Sequence, residues 1–150
     1  MAEKITPVCI LLVEDNQDDI ELTQIALASI PATRIYIVRD GQAALDFLFQ
    51  KQEFESSKEL RPDFVLLDLH LPKCDGIEVL RTMRASKELA SMPVIMLSAS
   101  GREEDVASAY ESGANTYVQK PLEFAEFERA LSLIRKYWGG LAKLPAKPSA

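Results

Sequence analysis

Four uninterrupted apolar runs punctuate the chain: Val8-Cys9-Ile10-Leu11-Leu12-Val13, Ile35-Tyr36-Ile37-Val38, Phe64-Val65-Leu66-Leu67 and Val94-Ile95-Met96-Leu97. A shorter fifth lies at Thr116-Tyr117-Val118. A strand with one wet face alternates apolar and polar residues. These runs do not, so they are expected to be buried on both faces, as in a parallel sheet covered by helices. The intervals between them carry helical spacing. Leu22, Ile25, Ala26 and Ser29 fall on one face of a segment starting near Gln17. Ala44, Phe47 and Leu48 mark a second helix after the turn Asp40-Gly41. Ile77, Leu80 and Arg84 mark a third that begins at Gly76, and Val106, Ala107 and Tyr110 a fourth that ends at Gly113. The last helix carries the stripe Phe124, Phe127, Leu131, Ile134 and Trp138. Strand and helix alternate five times, which predicts an α/β domain: a doubly wound five-stranded parallel sheet with five helices, over residues 1–138. Lys51 to Pro62 is a long polar connection, expected to be a surface loop. Residues 139–150, rich in glycine, proline and alanine, are expected to form a flexible tail.

Polar residues gather where the apolar runs stop. Glu14-Asp15 follows the first run, Asp68 the third, Ser98-Ala99 the fourth and Lys120-Pro121 the fifth. Ligands of such sheets sit at the carboxyl ends of the strands, so these groups are expected to meet at one edge. Neighbouring carboxylates repel, and a hard divalent cation with oxygen ligands relieves that conflict; Mg²⁺ typically takes one or two carboxylates together with phosphate oxygens. Singly, each residue has a plainer reading: helix-start acids, a helix cap, a salt-bridged lysine. Asp15-Asn16-Gln17-Asp18-Asp19 is rich in oxygen ligands but lacks the calcium-loop spacing with its central glycine and closing glutamate. Asp68 ends a fully apolar strand, and a carboxylate there can act as a nucleophile toward phosphorus. Lys120 precedes a proline, which confines it to extended conformations and helps to aim its ammonium. Lys120 is also expected to pair with Asp68. Ser98 offers a hydroxyl to a phosphoryl oxygen, and small Ala99 leaves room for the group. Tyr117, in the fifth strand, is either core filler or a ring that moves inward when Ser98 is drawn to phosphate.

Composition narrows the function classes. The chain has 150 residues, 47% hydrophobic and 27% charged, with a net charge of −6. An acidic chain without clustered Lys and Arg is a poor nucleic-acid surface. No apolar run is long enough to span a bilayer, and the first residues do not read as a signal peptide. A cytoplasmic chain with no membrane and no nucleic-acid partner is expected. Of the two cysteines, Cys9 reads as a core residue and Cys74 as a loop residue, and no disulfide is expected between them.

The segments ILLVEDN, LLDLHLPKCDG, VIMLSAS and YVQKPL resemble the signature segments of the receiver domain of two-component response regulators, over roughly Cys9 to Trp138. The resemblance implies a flavodoxin-like fold of receiver type with Asp68 as phosphoacceptor. Glu14, Asp15, Asp68 and the backbone carbonyl of His70 would hold Mg²⁺. Ser98, Ala99, Tyr117 and Lys120 would bind phosphate and switch, and the Lys120–Pro121 bond would be cis. His70 would border the site and affect phosphate lifetime. The long loop before Asp63, the LPKCDG turn and the aromatic pair Tyr137-Trp138 resemble the small regulators paired with cyanobacterial phytochrome histidine kinases. The implied function is a stand-alone response regulator without enzyme activity on other substrates, apart from autophosphatase activity. It would be phosphorylated by a sensor histidine kinase, a phytochrome, and would signal through protein contacts or a histidine phosphotransfer protein. The rival reading, a phosphohydrolase with Asp68 as nucleophile, suffers because Asp68-Leu69-His70 has no second acid two residues on. A phosphate-independent binding module is a second rival, against which the intact pocket argues. Finally, Ala130, Leu133 and Tyr137 form a second apolar stripe on the last helix. One stripe can cover the sheet; the other predicts a homodimer, with Leu133, Tyr137 and Trp138 as interface candidates.

Overall fold

Successive side chains of a strand point to opposite faces, and strand parity here sorts the chain into two cores. The computed structural model describes residues 6–51 and 61–146. Its strands are β1 (Val8–Val13), β2 (Thr33–Val38), β3 (Phe64–Leu67), β4 (Val94–Ser98) and β5 (Thr116–Gln119). They alternate with helices α1 (Gln17–Ala28), α2 (Gly41–Leu48), α3 (Gly76–Ala85), α4 (Glu103–Glu111) and α5 (Phe124–Lys136). The five strands are parallel in the order β2-β1-β3-β4-β5. Leu11, Val13, Val65, Leu67, Val94 and Met96 face Phe47 and Leu48 of α2 and Val79, Leu80 and Met83 of α3. Their neighbours Ile10, Leu12, Phe64, Leu66, Ile95 and Leu97 face Ile20 and Leu27 of α1 and Phe127, Leu131 and Ile134 of α5. This double burial is why the runs do not alternate.

Register places the site. Val13 pairs with Val38 and with Leu67, so β1, β2 and β3 stop at one level. Ser98 pairs with Gln119 on the other half of the sheet. Glu14, Asp68, Ala99 and Lys120 each follow one of these endings. Three helices start on side-chain caps: Asn16 accepts from the Asp19 N–H at 2.9 Å, Asp40 from Ala43 at 2.7 Å and Asp75 from Glu78 at 3.0 Å. Such caps satisfy donors that a helix start leaves orphaned. Gly76 lets α3 begin against the end of β3, because a Cβ there would lie 2.3 Å from the Asp68 carbonyl oxygen.

Two helices turn a different face inward from the one the spacing suggests. On α1 the buried residues are Ile20, Thr23, Ala26 and Leu27, and Ile25 is 58% exposed. Thr23 tolerates burial because its hydroxyl donates to the Asp19 carbonyl at 2.7 Å. On α4 only Ala109 is buried, and Tyr110 lies largely outside. Tyr110 is held differently: its phenol oxygen accepts the backbone N–H of Tyr117 at 3.0 Å, on edge strand β5.

The helical path of α5 crosses the boundary expected at residue 139. A π-helical turn, Tyr137–Leu141, extends α5, and Gly139 is buried. Buried Arg135 is the reason: it donates to the carbonyls of Gly139 at 2.9 Å and Thr6 at 2.7 Å and to the Thr33 hydroxyl at 2.8 Å. Losing three charge-assisted bonds from a buried guanidinium would be costly, so this stretch stays with the domain. Residues 147–150 of the tail and 52–60 of the connection before β3 lie outside the described residues. The two cysteines are not joined by a disulfide, and both are partly buried. Among the described residues, no helix is long and apolar enough to cross a membrane.

Candidate functional site

The carboxyl ends of β1 and β3 lie side by side, and the Asp68 N–H donates to the Val13 carbonyl at 3.1 Å. Glu14 and Asp68 are therefore neighbours, both buried, while Asp15 is exposed at the mouth. One ligand oxygen from each of Glu14, Asp15 and Asp68 lies within 4.8 Å of the others. This is an all-carboxylate donor set, the kind that hard cations such as Mg²⁺, Mn²⁺ and Ca²⁺ take. The Leu69 N–H fixes the Asp68 carboxylate by donating to Oδ1 at 2.7 Å.

Lys120 reaches this group from the end of β5. Its Nζ lies 3.3 Å from Asp68 Oδ2 and 2.9 Å from Asp19 Oδ2, and it also contacts Glu14 Oε1. The lysine and Glu14 side chains are almost fully buried. The peptide bond to Pro121 is trans, as no cis peptide bond occurs among the described residues. That corrects the expected cis bond. Trans is the lower-energy form of an X-Pro bond by roughly 0.5–1 kcal/mol. With it, Lys120 already bonds the Ser98 carbonyl through its N–H at 2.7 Å and meets all three acids.

Ser98 is buried, and its Oγ accepts from the Ser100 N–H at 3.2 Å. Ala99 is exposed, so the space beside Ser98 opens outward. Tyr117 packs its ring partly into the α2–α3 core, and its hydroxyl donates to the Ser100 carbonyl at 2.8 Å. It sits two positions before Gln119, the partner of Ser98. His70 is exposed in the turn after Asp68. Leu133 of α5 is 62% exposed and Tyr137 of the π-helical turn that follows is 49% exposed, whereas Trp138 packs partly against the α1–α5 core. Leu133 and Tyr137 are thus outside the site, and Trp138 is only half available to a partner.

Asp19 is the site residue that the sequence reading passed over as a member of the site. One signal could have found it: it lies four residues, about one helical turn, after Asp15, at the start of a helix whose first acids flank the pocket.

Three carboxylates around one ammonium set the electrostatics. Burial pushes the Glu14 carboxyl up to about 7; hydrogen bonding with Asp68 adds to the rise, and Lys120 opposes it. For Lys120, burial alone would lower the pKa, but the Asp19 and Glu14 contacts and the Asp68 charge outweigh it, and the ammonium is held above its ordinary range. The cation therefore stays charged, and Glu14, the most buried of the acids, holds its proton to higher pH than an ordinary carboxyl.

A pH dependence follows with a definite sign. Between about pH 4.5 and 7 the folded state binds the Glu14 proton that the unfolded chain has released. Without added metal, stability from this group is full below that window and is lost as pH rises through it. Divalent-ion affinity runs the other way, because a bound cation displaces the proton. Affinity should rise several-fold from about pH 6 to about pH 8, with proton release near neutrality. Calorimetric Mg²⁺ titrations in two buffers of different ionisation enthalpy check this. Equal apparent enthalpies and pH-independent affinity would contradict it.

Comparison with known proteins places this geometry. The family described as response regulator receiver domain matches residues 10–132. Response regulator Rcp1 of Synechocystis sp. is 40% identical over 141 residues, which cover 93% of this chain and 95% of that protein. The crystal structure of its Mn²⁺-bound form aligns with a TM-score of 0.87 at 39% identity, covering 93% of this chain and 100% of that one. The phosphorylated cyanobacterial phytochrome response regulator RcpA aligns with a TM-score of 0.87 at 38% identity, covering 93% and 99%. The probable methanogenesis regulatory protein FilR2 of Methanothrix harundinacea is 41% identical over 140 residues, 93% of this chain and 88% of that protein.

Proposed function

The chain belongs to the response regulator receiver domain family, whose role is phosphoryl acceptance in signalling, and from that premise we propose that Asp68 is its phosphoacceptor. The phosphoryl donor is a sensor histidine kinase. One observation carries the assignment: Asp68 ends β3 with its carboxylate oriented by Leu69, 3.3 Å from Lys120 Nζ and within the group of Glu14 and Asp15.

In the transfer, an Asp68 carboxylate oxygen forms a bond to phosphorus as the bond from phosphorus to the donor imidazole nitrogen breaks, and the imidazole leaves as a neutral ring after taking up a proton. Glu14, Asp15, Asp68 and the His70 carbonyl would hold Mg²⁺, which, when bound, supplies positive charge to the phosphoryl oxygens. Lys120 brings a second positive charge to the same oxygens. The Ser98 hydroxyl, released from the Ser100 N–H, donates to a third oxygen beside Ala99. Tyr117 then exchanges its Ser100 bond for an inward position, and α4 follows. That helix suits a moving part, since Ala109 is its only buried residue. Phosphorylation in this scheme biases a two-state equilibrium. Hydrolysis of the acyl phosphate, the expected autophosphatase activity, resets it.

The direct test is intact mass after incubation with Mg²⁺ and a small acyl-phosphate donor. Addition of one phosphoryl group is the expected result. No adduct, together with no beryllofluoride binding, would point to a phosphate-independent binding module. RcpA and its phytochrome connection support a phytochrome as the cognate kinase. The signal would leave through protein contacts or a histidine phosphotransfer protein.

The exposed Leu133 and Tyr137 favour a homodimer through α5 and the β5 side, with Trp138 at its edge. A dimer is expected in sedimentation at micromolar concentration, and a clean monomer with and without phosphorylation would rule it out.

A further inference from the structure

An ammonium has three N–H donors, and Lys120 faces three carboxylates from three elements. Glu14 follows β1, Asp68 follows β3 and Asp19 stands on the first turn of α1. The three partners are not equivalent. Glu14 and Asp68 belong to the group of acids that fits a cation, and Asp19 does not. Asp68 becomes an acyl phosphate. Asp19 is neither in that group nor the phosphoacceptor, so its oxygens are left for Lys120. Its side chain is 30% exposed, against 3% for Glu14 and 11% for Asp68, so it meets Lys120 from the solvent side of the cluster.

We propose that Asp19 is a positioning residue for Lys120: it retains the ammonium on the α1 side and competes for it with the phosphoryl group. The inference rests on Asp68 as the phosphoacceptor and Lys120 as the lysine that meets the phosphoryl group. A charge-assisted N–H···O bond at 2.9 Å is among the stronger contacts a lysine makes. Lys120 must share or surrender that bond to engage a phosphoryl oxygen. Asp19 thereby limits how strongly the phosphorylated state is held, and shortens its lifetime. Hydrolysis is the step it governs: water adds to phosphorus, the phosphorus–oxygen bond to Asp68 breaks, and carboxylate and inorganic phosphate separate.

Asp19→Asn removes the charge and keeps the shape. The main-chain bonds of this residue, to Asn16 Oδ1 and from the Thr23 hydroxyl, do not involve the altered group. The experiment titrates beryllofluoride at saturating Mg²⁺ and follows acyl-phosphate decay in wild type, Asp19→Asn and Asp19→Glu. Asp19→Asn is expected to bind beryllofluoride several-fold more tightly and to lose phosphate several-fold more slowly. It should also need more Mg²⁺, because the pocket has lost one negative charge. Asp19→Glu, which restores the charge, should return both values toward wild type. Unchanged or weaker beryllofluoride binding by Asp19→Asn overturns the proposal, and so does an Asp19→Glu variant that behaves like Asp19→Asn. If wild type itself takes up neither a phosphoryl group nor beryllofluoride, the failure lies with Asp68 as phosphoacceptor, and this proposal falls with it.

Discussion

Asp68→Asn is expected to remain at its unmodified mass under conditions that add one phosphoryl group to wild type. The substitution is nearly isosteric, and the Leu69 N–H at 2.7 Å keeps an oxygen to bond, so the fold should survive. What disappears is nucleophilic character, since an amide oxygen does not attack phosphorus as a carboxylate does. One of the three carboxylates of the candidate metal group is also lost, and divalent-ion affinity should drop. Removing one like charge beside Glu14 relieves repulsion, so without added metal the variant should unfold no earlier than wild type. The effect on phosphorylation is all or none. An adduct on Asp68→Asn would mean that another nucleophile takes the group, and exposed His70 would be the first to examine.

Lys120→Met should have the largest effect on stability. Lys120 is the cation that Glu14, Asp19 and Asp68 share, and its side chain is only 8% exposed. Taking one partner from a buried ion pair strands the remaining charge, at a cost on the order of 3 kcal/mol. The size of the loss should depend on pH. With the lysine gone, the Glu14 carboxyl moves up from about 7, because the contact that opposed its rise is missing. At about pH 8 the variant should be destabilised by about 3 kcal/mol. At about pH 6 Glu14 is protonated and part of the loss should be recovered, while Asp19 and Asp68 still lack their cation. Added Mg²⁺ should recover it as well, by binding the stranded carboxylates of the folded state. Urea midpoints at the two pH values, with and without Mg²⁺, provide the measurement. Equal stability of variant and wild type at both pH values would show that the ion cluster contributes nothing to the fold.

The central parts of this picture were legible in residue order. β1 and β3 were readable to the residue because burial on both faces requires an unbroken apolar run, and a run ends where charge begins. Asp68 and Glu14 are conspicuous for the same reason: each is the first charged residue after such a run. Side-chain exposure of Leu133 and Tyr137 followed from α5 carrying more apolar stripe than one sheet face can cover. The faces of α1 and α4 were harder. Apolar residues on α1 point in more than one direction, and the buried set includes Thr23, a polar residue excused by its bond to the Asp19 carbonyl. On α4, the contact that matters for Tyr110 is a phenol oxygen on the Tyr117 N–H, and hydrophobic periodicity carries no trace of it.

Residue order alone therefore determined the strand–helix alternation, the double burial of the sheet and the gathering of Glu14, Asp68, Ser98 and Lys120 at one edge. These are local consequences of periodicity and of where each run stops, and a parallel sheet converts them into position without further information. Only the tertiary structure decided that Asp19 joins the pocket, that the Lys120–Pro121 bond is trans, that Arg135 carries the chain past residue 139, and which side of α1 faces inward. All but the proline bond depend on distances between residues far apart in the chain. Asp19 and Lys120 are 101 positions apart, and Arg135 reaches across 129 positions to Thr6. A pattern with a period of two or three to four residues cannot encode a contact on that scale; close packing of the folded chain creates it.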